Sequence, residues 1–146
     1  MSDSFDQARE NRAGLRAAMG EVERSLASPA TGRVEAWTKT LGQDLDRLAA
    51  ALENHITASE APGGMLDDIV EAAPRLSHRV ERARREHTEL RYRLEAAVRA
   101  LPADADGDSH AAHEQVVEVL AGIVRHRHLG ADLVYEAFNV DIEAAD

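Results

Sequence analysis

Apolar side chains return every three or four residues through four stretches of the chain, and no stretch follows the two-residue rhythm of a strand. The first stretch, Ser4 to about Ala27, carries Ala8, Leu15, Met19, Val22 and Leu26, and Ser28-Pro29-Ala30-Thr31-Gly32 interrupts it. The second repeats Val34, Trp37, Leu41, Leu45, Leu48, Leu52, His55 and Ser59, then stops at Ala61-Pro62-Gly63-Gly64. Met65 to Ala72 is a short helical piece. Pro74 then kinks the chain or opens the next helix at its first turn. The third long stripe is Leu76, Val80, Ala83, His87, Leu90, Leu94, Val98 and Leu101, followed by a polar loop from Pro102 to Asp108. Ser109 is placed to cap the last helix, whose stripe reads His113, Val116, Leu120, Ile123, Val124, Arg127, Ala131, Val134 and Phe138. Four amphipathic helices on short loops predict an all-α protein, packed as an antiparallel up-down-up-down four-helix bundle. The bundle is expected to run from about residue 4 to 140 of a single domain, with a fraying tail at Glu143-Ala144-Ala145-Asp146.

The polar residues that interrupt these stripes are the ones with something to explain. At about 100° per residue, Asn11 and Arg12 lie one turn before Leu15, and His55 shares a face with Leu48 and Leu52. Glu60 follows one turn later, and His87 has Arg91 on nearly the same face. On the last helix the phasing puts Arg127 near the middle of the apolar face, with His126 and His128 to either side and Asp132 just beyond. A lone histidine on an apolar stripe is more often a hydrogen-bonded core residue than a ligand. Two of them on facing helices favour a shared layer, and histidines with carboxylates from several helices are how bundles build iron sites.

Composition narrows the function classes. The net charge of −10 opposes nucleic acid as main partner, since phosphate binding needs a cationic surface. Eight arginines between Arg75 and Arg99 run against that balance, but they alternate with Glu81, Glu86, Glu89 and Glu95 as on a solvated, ion-paired helix face. No apolar run is long enough to span a membrane, and no secretory leader is visible at the N-terminus. The absence of cysteine excludes disulfides and thiolate chemistry and fits a cytoplasmic protein. No nucleophile elbow or phosphate loop is present, so an enzyme is the weakest of the candidate classes.

Several segments together resemble one known family. Leu52-Glu53-Asn54-His55 through Glu60-Ala61-Pro62-Gly63-Gly64-Met65-Leu66, then Ala73-Pro74-Arg75-Leu76, Glu86-His87-Thr88-Glu89-Leu90 and Arg125 to Asp141 are similar in order and spacing to hemerythrin-like (HHE cation-binding) domains, especially actinobacterial ones. The resemblance covers about residues 8 to 142 and implies a four-helix bundle around two bridged irons. Its ligand pattern matches at His55 and His87, with Asp132 fitting the carboxylate of the last helix. It departs elsewhere. Glu60 follows His55 by five residues rather than four, with Ser59 at the glutamate position, and Asn11 or Arg12, Arg91 and Arg127 stand where histidines are implied.

Arginine stays protonated and cannot ligate a metal. The first expectation is therefore a degenerate diiron site in a non-catalytic helical module without cofactor. Its core network would be Arg12, Arg91, Arg127, Glu60 and Asp132, and it would act through a protein partner or small ligand as monomer or homodimer. The alternative is an iron-binding protein, mono- or dinuclear, using His55, Glu60, His87, Asp132 and His126 or His128. Such a protein would bind or sense oxygen, nitric oxide or peroxide, or store iron.

Overall fold

The computed structural model describes residues 2–142; the tail expected to fray, 143–146, lies outside the described residues. The protein is all-α, with no strand among the described residues. Four long helices, α1 (Ser2–Ala27), α2 (Val34–Glu60), α4 (Ser77–Arg99) and α5 (His110–Phe138), are joined by a short α3 (Met65–Ala72) and a 3-10 turn (Pro74–Leu76). Helix α1 packs mainly along α2 and α4 along α5, while α3 touches α1, α2, α4 and α5.

The breaks follow from local chemistry. Gly63 has φ +75°, in the left-handed region that side chains avoid, and a Cβ on Gly64 would come within 2.4 Å of the Ala58 carbonyl. The chain can turn this tightly after α2 only with glycine at both positions. Pro74 opens the 3-10 turn, which runs directly into α4, where its missing N–H has no cost. At the start of α5, Ser109 forms no side-chain cap. Asp108 accepts from the His110 N–H at 2.9 Å instead, correcting the expected capping residue by one position. Asn139, at φ 57°, ends α5 three residues before Ile142.

The core has two parts. One gathers Leu15, Met19 and Val22 of α1, Trp37 to Ile56 of α2, Leu90 to Ala97 of α4 and Ala112 to Ile123 of α5. The other gathers α3, Leu76, Val80 and Ala83, and the end of α5 from Ala131 to Val134, with Ile142, Phe5 and Ala8. Among the described residues, no helix is long and apolar enough to cross a membrane.

Candidate metal centre

Between the two core clusters the stripes of all four long helices turn polar in one layer. His55 lies three residues after Leu52, His87 four after Ala83 and His126 three after Ile123, each where a leucine would continue the seam. His87 and His126 are buried, at 1% and 4% exposed, His55 is half-buried, and Arg12 of α1 is buried beside them. The three rings meet edge to face, with centroids 4.7–5.3 Å apart, and one ring nitrogen from each lies within 4.8 Å of the others.

Two carboxylates hold this layer from behind. Glu60 pairs with Nδ1 of His87, and Glu86 Oε1 lies 2.8 Å from Nδ1 of His126. A neutral imidazole that gives its Nδ1 proton to a carboxylate keeps an unprotonated Nε2. In that state, the 3.1 Å contact between Nε2 of His55 and Nε2 of His126 requires His55 to donate. Burial is the main reason the His55 pKa falls to about 3, with His126, His87, Arg12 and Arg127 adding repulsion. Burial lowers His87 too, against the opposing effect of its hydrogen bond to Glu60. At neutral pH, His55 is therefore an uncharged imidazole, and moving its proton from Nε2 to Nδ1 would free Nε2 as a metal donor.

The donor set fits a transition-metal ion. Metal–nitrogen bonds of about 2.0–2.1 Å put neighbouring ligand nitrogens roughly 3.0–3.4 Å apart, and the His55–His126 separation of 3.1 Å lies in that range. The third imidazole is within reach after a modest inward shift. Three imidazoles backed by two carboxylates suit a divalent ion. The carboxylates fix the ring tautomers and raise ligand basicity, as the outer partners of metal-bound histidines do.

Several residues fall elsewhere than the periodicity suggested. His126, not Arg127, occupies the centre, Arg127 is half-buried and His128 is exposed. The difference is one residue, or about 100° of rotation about α5. Val124 and His113, read as stripe positions, face outward, while Ala112 and Val119 are fully buried. Asp132 is exposed and stands outside the layer. Arg91 also leaves the core. Its guanidinium makes a bidentate pair with Glu53 at 2.6 and 2.8 Å on the surface, with both side chains over 40% exposed. Glu60 meets His87 rather than an arginine, so the expected arginine–carboxylate network keeps only Arg12 fully inside. Ser59 donates to the His55 carbonyl at 2.7 Å, a bond within its own helix. Glu86 carried no signal in the sequence, because it lies one position off the apolar stripe of α4.

A cavity of about 660 Å³ opens against the layer, lined by His55, His87, His126 and Arg12, by Gly130, and by Met65, Leu66 and Ile69 of α3. No family model, curated protein or solved structure matches the chain.

Proposed function

We propose that this chain is a hemerythrin-like, up-down-up-down four-helix bundle that binds one divalent transition metal, iron or zinc, through His55, His87 and His126. The observation that carries the reading is the convergence of these three buried or half-buried imidazoles from three helices, with Glu60 and Glu86 behind two of them. Isolated core histidines need one hydrogen-bond partner each and have no reason to present ring nitrogens to one another. An ion held by three histidines keeps coordination positions open, and here the cavity adjoins the layer, so the ion would supply a Lewis-acidic docking point for a small ligand. One metal is favoured over two because Arg12, Arg91 and Arg127 stand where the resemblance implies further histidines, and Asp132 is exposed.

The test is metal titration of the purified full chain with cobalt(II) and zinc, followed by elemental analysis of protein grown with iron. One equivalent per chain is expected, with visible cobalt bands. His87→Ala and His126→Ala should abolish them, whereas His128→Ala and Asp132→Ala should leave them intact. Two equivalents of iron, or none of any metal, would overturn the reading. A metal-free module is the second reading, and it draws on the His55–His126 hydrogen bond, which satisfies two of the rings without an ion. The same titration separates the two.

A further inference from the structure

Helix α5 has a second apolar face, turned away from the bundle. Of the five large apolar side chains exposed among the described residues, three, Val117, Val124 and Tyr135, belong to this helix. At about 100° per residue they lie within roughly 20° of one another, with the exposed Ala121 beside them, while Val119 and His126 point the other way into the core. Exposed valines alone are ordinary. The charges around these ones are not.

With Ala121 as centre, Val117 and Val124 lie about 40° and 60° to one side, and Arg125 and Glu118 lie at the same angles on the other. Packing α5 against an antiparallel copy of itself, with the two-fold axis passing at Ala121, sets each flank against the same flank of the second copy. Glu118, three residues before Ala121, then meets Arg125 of the second copy, four residues after it, and Val117 meets Val124 in the same way. The one-residue offset is only about 1.5 Å of rise. His110 and Asp132, both exposed and eleven residues to either side of Ala121, meet at the two ends.

Within one chain the charged groups at the centre of this face are left over. Arg93 of α4 and Arg125 each bring a guanidinium nitrogen within 4.0 Å of the point where a Cβ on Gly122 would stand, so two cations converge on the groove between α4 and α5. Neither of them, nor Glu118, forms an ion pair among the described residues. Two guanidiniums side by side favour a carboxylate between them. Copies that each carry a net charge of −10 repel one another at long range, so the matched charges are what would fix the register.

We propose that the outer face of α5 is the interface of an antiparallel homodimer, with Ala121 at its two-fold axis, Val117 on Val124, and Glu118 set between Arg93 and Arg125 of the second copy. This surface is separate from the imidazole layer, and its occupancy by metal does not enter the argument.

Sedimentation equilibrium of the full chain up to about 200 µM should show a monomer–dimer equilibrium, as expected of a small interface. Arg125→Glu and Glu118→Arg, each of which sets like charges against each other, should weaken self-association at least tenfold without changing the circular dichroism melt. Mixed in equal amounts, the two variants should associate with each other at least tenfold more tightly than either does with itself, because each supplies the charge the other lacks. The chain has no cysteine, so Ala121→Cys places a lone thiol at the axis, and mild oxidation should link the dimer covalently. Glu114→Cys should not link, since its two copies would be about 20 Å apart along the helices. A wild-type chain that stays monomeric, charge variants that associate as tightly as wild type, or a thiol at position 114 that links as readily as one at 121 would each overturn the proposal.

Discussion

The two sides of the imidazole layer are built from the same four helices to opposite ends. On one side Leu41, Leu45 and Leu48 of α2 face Leu15, Val116 and Ile123 with no exposure at all. The one buried carboxylate there, Asp44, is held by Ser25 and by Arg47 at 2.9 Å. On the other side the last turns of α2 give way to the short α3, and a cavity remains, lined by residues of α1, α2, α3, α4 and α5. Close packing on the first side supplies rigidity and cooperativity. The incomplete packing on the second provides room for a ligand, and the histidines lie at the boundary, held by one side and accessible from the other. Close packing and open space are thus divided along the bundle axis.

The sharpest way to break this comparison is to truncate one leucine on each side. Leu45→Ala should cost about 3–4 kcal/mol, since its neighbours cannot collapse into the space it leaves. Leu66→Ala removes the same atoms beside an existing cavity, and should cost about 2 kcal/mol or less. Equal losses in urea denaturation would erase the distinction. The layer should show itself next, through acid. The folded-state pKa of His55 is about 3 against an ordinary 6.5, so between those values the unfolded chain binds more protons. The stability this contributes is fully present above pH 6.5 and is lost as pH falls toward 3, at up to about 1.4 kcal/mol per pH unit. His87 shifts in the same direction. Chelator-treated protein should therefore melt progressively lower from pH 7 to 4, and a flat profile would show the imidazoles to be solvated.

A third prediction concerns the support behind the layer. Glu86→Gln keeps the shape but weakens the acceptor facing His126, and should reduce zinc affinity by roughly 10–100-fold in a competition assay without changing the one-to-one stoichiometry. The smallest effect is expected at Arg91. Its surface pair with Glu53 should be worth only about 0.2–1 kcal/mol in a double-mutant cycle, despite its bidentate geometry. A value of several kcal/mol would mean that Arg91 belongs to the core after all.

The helical class, the positions of the breaks at Pro29 and Gly63-Gly64, and the inward facing of Arg12, His55 and His87 were legible in the sequence, because each follows from the residue's own helix and its 3.6-residue period. Helix α5 was harder to phase. Valines at 117 and 124 are 45% and 39% exposed, so its apolar content is not confined to one face, and a one-residue error exchanged His126 for Arg127. Position on a helix does not determine reach. Arg91 shares the face of His87, yet its long side chain extends out to Glu53, while Glu86, one position off that face, reaches back to His126. The sequence by itself determined the helical class, the breaks and most of the stripe positions on α1, α2 and α4. Tertiary packing alone decided the rotation of α5, the meeting of three imidazoles and the cavity beside them, because these depend on how helices distant in sequence settle against one another.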